Sequence, residues 1–185
     1  MRIRQLMGLF GITILLWTVL CPPLWADSPA VPQSYAVFSP NKRFVFRMRV
    51  DPKSWDESKA SGAMYAILRD GTEKALWKVS GWYSFKVFVP DGGQYLVRMG
   101  NWSSGCGASA EDLAVVFYKQ GKQLKSYSTA DLIRNPKAVE CSISHYVWYR
   151  QIKGLSPQDP HHFSLVTLEN REIVFNVTTG EIHRR

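Results

Sequence analysis

The sequence predicts a mostly β protein, built as an antiparallel meander of repeated hairpins with one short helix. From Trp82 to Val89, apolar side chains return at every second position, which is typical of a half-buried strand and places Tyr83, Phe85, Val87 and Val89 on its buried face. Residues 90–93 are Pro-Asp-Gly-Gly, which stops a strand and tolerates the positive φ of a tight turn. A similar strand–turn–strand pattern lies about 50 residues earlier, around Pro40-Asn41, which indicates one structural unit used more than once.

The remaining strands follow in chain order. Strand–turn–strand units are predicted over residues 34–50, 64–79, 82–99 and 113–127, and a looser unit over residues 162–183. A further strand, aromatic and alternating, is predicted from His145 to Ile152. The segment from Gly100 to Ala110 (the 100–110 loop) is too poor in apolar residues to form a strand.

One short helix is predicted after the fourth unit, from Ser128 to Arg134. Ser128 is a suitable N-cap, and Asp131 stands at the third helical position, where its carboxylate can complete a capping box. Pro136 prevents the helix from continuing, because a proline disfavours helical geometry in the residue before it.

The N-terminus has the pattern of a secretory signal peptide, residues 1–26. Arg2 and Arg4 precede an apolar run from Met7 to Leu20, and Ala26 offers a small residue before a cut at Asp27. A flexible lead-in, residues 27–34, and a single β domain, residues 35–185, would follow. The sequence therefore predicts an exported protein, periplasmic or secreted; a membrane becomes a partner only if the N-terminal segment is retained.

The charge balance is basic. The formal net charge of +8 falls to +6 when cleavage removes Arg2 and Arg4, because residues 1–26 contain no acid. Export makes nucleic acid an unexpected partner. An anionic polymer or glycan, or an envelope protein with an acidic surface, is the more natural counterpart, and solubility alone also explains such a charge.

Two cysteines remain after cleavage, Cys106 and Cys141. In an oxidising compartment an even pair is a disulfide candidate. The bond would close a loop of about 35 residues, which is worth about 3–4 kcal/mol on the chain-entropy model. Two free thiols are the alternative. The chain has no CxxC pattern, so we expect neither a cysteine metal site nor a cofactor.

Two turn regions carry a family resemblance. Residues 38–48 (FSPNKRFVFRM) and 88–99 (FVPDGGQYLVRM) resemble the Ser-Pro-Asp-Gly hairpins of propeller-type repeat proteins, including WD-type blades. The chain from Asp27 onward also resembles exported bacterial proteins with a Pro-Asp-Gly hairpin, a Gly-rich loop, an Asp-Leu-Ile helix and a Trp strand, in that order. The resemblance implies a β-meander and no particular chemistry. A propeller needs four or more blades and residues 27–185 supply about three, so either the sheets pack in a blade-like or sandwich arrangement, or the chain forms a homo-oligomer.

Aromatic and cationic residues suggest a binding surface. We expect the aromatic side chains of Trp82, Trp102, Trp148 and Tyr149 to cluster at one end of the sheets, with cations on the strand faces opposite the main apolar rows, at Arg47, Arg49, Lys86 and Arg98. The candidate binding residues are Trp82, Arg98, Trp102, His145 and Trp148. Flat aromatic rings beside cations suit sugars or anionic polymers. Core packing explains the same aromatics, and protection of strand edges explains the cations.

A catalytic interpretation is the rival. His145 could act as a base for Ser103, Ser104 or Cys106 in the 100–110 loop, but the spacing there is not G-x-S-x-G, and a bridged Cys106 cannot be a nucleophile. We therefore assign no catalytic or metal-binding residue. The predicted function is an exported, non-catalytic binding or interaction module of the bacterial cell envelope. The alternatives are a hydrolase that uses His145 near the 100–110 loop, and a structural accessory subunit.

Overall fold

The structure is a computed structural model that describes residues 30–54 and 56–183. The predicted signal peptide (1–26), the start of the lead-in and the last two residues of the predicted domain lie outside the described residues. The helices are the 3-10 turn Glu57–Lys59 and α1 Thr129–Leu132. The strands are β1 Tyr35–Phe38, β2 Phe44–Arg49, β3 Ser61–Ile67, β4 Glu73–Ser80, β5 Val87–Phe88, β6 Tyr95–Met99, β7 Leu113–Lys119, β8 Lys122–Ser128, β9 Glu140–Cys141, β10 Tyr146–Val147, β11 Tyr149–Leu155, β12 His162–Thr167 and β13 Glu172–Asn176.

These strands form antiparallel sheets in which sequence neighbours are also spatial neighbours. The first sheet has the order β1-β2-β3-β4, the second β5-β6-β7-β8 and the third β11-β12-β13. Strands β9 and β10 pair only with each other and form a hairpin, residues 140–147. The predicted antiparallel meander with one short α-helix is confirmed, and the described part of the chain forms neither a closed barrel nor a propeller.

The second sheet buries both of its faces. Successive side chains of a strand point to opposite faces; accordingly, Val97 joins a hydrophobic cluster with Phe163 of the third sheet. Its neighbour Leu96 joins a different cluster, with Phe46 and Met64 of the first sheet. The second sheet therefore lies between the first and the third.

Successive sheets also share one recurring contact. Gly121, in the β7–β8 turn, lies so close to the first sheet that a Cβ there would stand 2.5 Å from the Lys78 carbonyl oxygen. Gly180, after β13, lies equally close to the second sheet, because a Cβ at this position would stand 2.5 Å from Lys125 Cβ. Both glycines have positive φ. The corresponding Gly71 of the first sheet has no atom within 4 Å of such a Cβ, so this turn packs against no preceding sheet.

Two predicted strands differ from the structure. Only Val87 and Phe88 of the 82–89 strand join a ladder. Earlier in that segment, hydrogen bonds that involve side chains take the place of backbone pairing between strands. Ser84 Oγ donates to the Met99 carbonyl oxygen, and the Phe85 N–H donates to Asn101 Oδ1. The prediction that Tyr83 and Phe85 share a buried face is wrong, since Tyr83 is buried and Phe85 is exposed.

The predicted strand from His145 to Ile152 is divided at Trp148. Before this residue β10 pairs with β9, whereas after it β11 pairs with β12. The chain thus changes partners at Trp148, whose side chain is buried in the cluster shared by the second and third sheets.

The predicted helix is confirmed together with its cap. Ser128 Oγ accepts the Asp131 N–H at 3.2 Å, and Asp131 Oδ2 accepts the Ser128 N–H at 2.7 Å. The helix ends at Leu132, whose side chain is fully buried. Local capping and one buried leucine therefore define this element.

Candidate functional site

A disulfide joins two distant segments into one unit. The predicted bond between Cys106 and Cys141 is present, with a Cα–Cα distance of 5.4 Å, and ties the 100–110 loop to the 140–147 hairpin. Beside it, the Tyr146 N–H donates to the Ser103 carbonyl oxygen at 3.0 Å, and Ser104 forms an isolated antiparallel bridge with His145. The hairpin is thus attached to the loop by both covalent and backbone bonds.

This unit exposes a small group of apolar and aromatic side chains. The ring of Trp102 lies 4.1 Å from the ring of His145, centroid to centroid, at an interplanar angle of 36°. Trp102 remains 37% exposed, Val147 36% and Ile143, at the tip of the hairpin, 87%. We call these four residues the Trp102 surface.

The residue before Trp102 fixes the start of the loop. Asn101 Nδ2 donates to the Tyr83 carbonyl oxygen and to Glu57 Oε2, both at 3.0 Å. Asn101 Oδ1 accepts the Phe85 N–H at 3.0 Å. The loop is therefore held at Asn101 and again at Cys106, with Trp102 between the two anchors.

Hydrogen bonds between buried hydroxyl groups also hold the 140–147 hairpin in place. The Tyr146 hydroxyl donates to Asp112 Oδ2 at 2.8 Å and lies 2.6 Å from Thr129 Oγ1. Burial, followed by the neighbouring Asp112, raises the pKa of Tyr146. Thr129 Oγ1 also accepts the Ser109 N–H at 2.9 Å, so the network reaches back to the 100–110 loop.

The geometry around His145 includes a serine that the sequence did not single out. Ser142 Oγ lies 2.6 Å from His145 Nδ1. Ser142 Oγ also accepts two backbone hydrogen bonds, one from the His145 N–H at 3.2 Å and one from the Ser144 N–H at 3.4 Å. Because these bonds close the tip of the hairpin, the hydroxyl has a structural role that sequence spacing alone could not reveal.

Of the three residues predicted as possible nucleophiles, Ser103 and Cys106 are not available to His145, whereas Ser104 is exposed and lies opposite it. Ser103 is buried, and Cys106 is in the disulfide, which removes its thiol. Ser104 meets His145 through the backbone bridge. The structure thus brings His145 to the 100–110 loop, as predicted, but pairs its ring with Trp102 and Ser142.

Trp82 and Arg98 form a separate pair between the first and second sheets. The Arg98 guanidinium lies 4.4 Å from the Trp82 ring centroid. The Trp82 ring also stacks on Tyr118 at 5.5 Å and on Phe46 at 6.4 Å. Both faces of the indole are therefore covered by the protein, which assigns Trp82 to packing between the sheets.

Trp148 also belongs to the core. It is buried in the cluster of the second and third sheets, with its ring 5.1 Å from that of Tyr149. The five predicted binding residues therefore do not form one cluster. Trp102 contacts His145, Trp82 contacts Arg98, and Trp148 is buried. The prediction that Trp148 contributes to a surface is corrected, because the chain changes sheets at this position.

Two histidines near the C-terminus, His162 and His183, form a local cluster with Asp159. His162 Nδ1 lies 2.9 Å from Asp159 Oδ2, and the His162 ring lies 4.7 Å from that of His183. Within residues 30–54 and 56–183, no three histidine, cysteine or acidic side chains are arranged to hold a metal ion. Nor does that part of the chain contain a helix of the length and apolarity that a bilayer crossing requires.

No protein-family model matches the chain, and no curated protein is significantly similar to it.

Proposed function

We propose that this protein is an exported, non-catalytic binding module of the bacterial cell envelope, and that the Trp102 surface contacts an envelope protein. The observation that carries the proposal is the exposed indole of Trp102, which stays 37% accessible although its ring contacts His145 and its loop is tied by a disulfide. Tryptophan is enriched among the residues that dominate protein–protein binding energy.

Rigidity supports this assignment. A side chain held in place before binding loses less conformational entropy when a partner arrives. Asn101, the Cys106–Cys141 bond and the Tyr146 network restrain the segments that carry Trp102 and His145. The 87% exposure of Ile143 next to this rigid pair adds apolar area that a monomer gains nothing by exposing.

We also propose that the three meander sheets are arranged like successive blades. The contacts of Gly121 with Lys78 and of Gly180 with Lys125 support this, because each places a glycine of one sheet against the last strand of the preceding sheet. Three such units are too few for ring closure, which needs four or more; a homo-oligomer is therefore the rival occupant of the Trp102 surface.

Site-specific photo-crosslinking tests the protein partner. A photo-crosslinking amino acid at Ile143, in cells that produce the full chain, should give an adduct of one discrete mass with an envelope protein. Leu124, which is 39% exposed on β8, is the matched control position and should give no such adduct. Combining the Ile143 crosslinker with Trp102→Ala should remove the adduct while the thermal unfolding midpoint stays unchanged.

Three outcomes would reject the proposal. Equal crosslinking at Ile143 and Leu124, or an adduct that survives Trp102→Ala, would mean that the Trp102 surface selects no partner. An adduct of twice the chain mass, containing only this protein, would replace the envelope partner with a second copy.

One observation keeps the hydrolase as a second candidate. The Ser142 Oγ to His145 Nδ1 distance of 2.6 Å is within the range of a nucleophile–base pair. Against it, the serine oxygen already accepts two backbone N–H groups. A fluorophosphonate probe should label the wild type and not Ser142→Ala if the pair is catalytic; the binding-module proposal expects no labelling of either.

A further inference from the structure

The outer face of the first sheet differs in composition from the other sheet surfaces. In the second sheet the face that carries Leu96 and Val116 is covered by the first sheet. The corresponding face of the first sheet carries Val45, Arg47 and Arg49, and no other sheet of the described residues covers it. This difference in charge indicates a face that is built for contact with water or an anion and not for another apolar sheet.

Small side chains between basic ones create a depression on this face. Ala63 lies directly between Arg47 and Lys78 in the sheet register. In the next row, Ser61 lies between Arg49 and Ser80. Neighbouring strands are about 4.8 Å apart, so the flanking side chains stand about 10 Å from each other. The resulting depression has a volume of about 300 Å³, and Tyr65 also lines it.

A second basic depression lies at the other end of the same face. Its volume is about 540 Å³, and its lining comprises Lys42, Arg43, Ile67, Leu68 and Arg69. Arg43, immediately before β2, and Arg49, the last residue of β2, are six residues apart, which corresponds to about 20 Å along an extended chain. The two depressions therefore mark the ends of one track along β2.

An aromatic row connects the two ends. Phe38 and Tyr65 are the cross-strand partners of Val45 on either side. Phe38 is 51% exposed and Tyr65 is partly exposed, whereas Val45 between them is completely buried. The track is thus basic at both ends and apolar in the middle.

The cations of the track are largely uncompensated. Arg47 is the exception, since its Nη2 atom lies 2.5 Å from Glu73 Oε1. Among the described residues, no carboxylate forms an ion pair with the other five cations of the track: Lys42, Arg43, Arg49, Arg69 and Lys78. Protection of an edge strand does not explain Arg49, because β2 is an interior strand of its sheet.

We infer that this face binds a linear acidic polysaccharide, with carboxylate groups at the two basic ends and a sugar ring against Tyr65 and Phe38. Arginine and lysine side chains donate charge-assisted hydrogen bonds to carboxylates, and the Ser61 and Ser80 hydroxyls lining the first depression add neutral donors. A polymer suits an open track, because several weak, exposed contacts combine through multivalency. The Cys106–Cys141 disulfide fits an oxidising compartment outside the cytosol, where envelope glycans are accessible. This inference does not depend on the Trp102 surface.

Polygalacturonate is the test probe. The protein as purified from the cells that produce the full chain should bind immobilised polygalacturonate at low ionic strength and should not bind neutral dextran. Salt should release it from polygalacturonate, as expected for exposed charges. The double variant Arg49→Gln/Lys78→Gln should weaken the affinity about tenfold, because it removes two exposed charge contacts with the polymer. The double variant Lys122→Gln/Arg150→Gln removes the same charge from exposed positions on the second and third sheets and should bind like the wild type.

The remaining comparisons decide the inference. Trp102→Ala should bind polygalacturonate like the wild type, and an unchanged thermal midpoint should show that each variant folds. Absent binding, or equal losses in the two double variants, would overturn the inference. Tighter binding of single-stranded DNA than of polygalacturonate would overturn it in favour of nucleic acid.

Discussion

At the residue scale, Tyr146 joins three parts of the chain through one hydroxyl group. Its neighbours are Asp112 before β7, Thr129 at the start of α1 and, through Thr129, the Ser109 backbone. The sequence alone showed an aromatic residue in an alternating strand. It could not show this network, because the partners lie 34 and 17 residues away.

Removal of this hydroxyl should destabilise the protein. We expect Tyr146→Phe to lower the free energy of unfolding by roughly 1–2 kcal/mol, because the buried partner Thr129 loses a hydrogen bond and Asp112 loses a donor. Urea denaturation measures the change. Tyr95→Phe is the matched control, because the Tyr95 hydroxyl forms no hydrogen bond within residues 30–54 and 56–183. This variant should change the free energy of unfolding by less than about 0.5 kcal/mol. Equal effects of both variants would contradict the network.

At the element scale, the 140–147 hairpin depends on its attachment. It consists of two two-residue strands that pair only with each other, and an isolated two-stranded hairpin is only marginally stable in water. The sequence predicted the disulfide from the even number of cysteines. It did not predict the hairpin, because residues 137–144 have no alternating apolar pattern; covalent and backbone bonds to the 100–110 loop replace a hydrophobic face.

Loss of the disulfide should therefore loosen the hairpin. The Cys106 and Cys141 sulfurs close a loop with a sequence separation of 35 residues. Cys106→Ser/Cys141→Ser should lower the free energy of unfolding by about 4 kcal/mol on the chain-entropy model. Chemical denaturation gives this value, and limited proteolysis should show new cleavage within residues 140–147. Reduced wild-type protein should match the double variant; a loss below about 1 kcal/mol would mean that the loop is already restrained in the unfolded chain.

At the scale of the whole molecule, the packing of one sheet on the next depends on a few close backbone approaches. Gly121 and Gly71 occupy comparable turns with similar φ values, +79° and +83°. Only Gly121 lies against another sheet, at the Lys78 carbonyl. An alanine at Gly71 therefore introduces backbone strain alone, whereas an alanine at Gly121 must in addition displace part of the first sheet.

This difference should be measurable. Gly71→Ala should cost about 1–2 kcal/mol, the strain of a left-handed alanine. Gly121→Ala should cost about 1–3 kcal/mol more, because the new methyl group must displace the Lys78 backbone. Thermal or urea unfolding of both variants tests the difference. Equal losses would show that the first and second sheets can separate slightly at this point without cost.

The sequence by itself determined the local structure: the tight turns at residues 40–41 and 90–93 and the Ser128 cap, which depend on conformational preferences that act over a few residues. It also determined the Cys106–Cys141 pairing across 35 residues, because two cysteines leave only one possible pair. The tertiary structure decided which aromatic side chains remain accessible. Trp82, Trp102 and Trp148 are chemically alike, but one lies between sheets, one stays exposed beside His145 and one is buried where the chain changes sheets. A strand pattern specifies which side chains share a face, whereas the packing of the sheets decides whether that face meets water or protein.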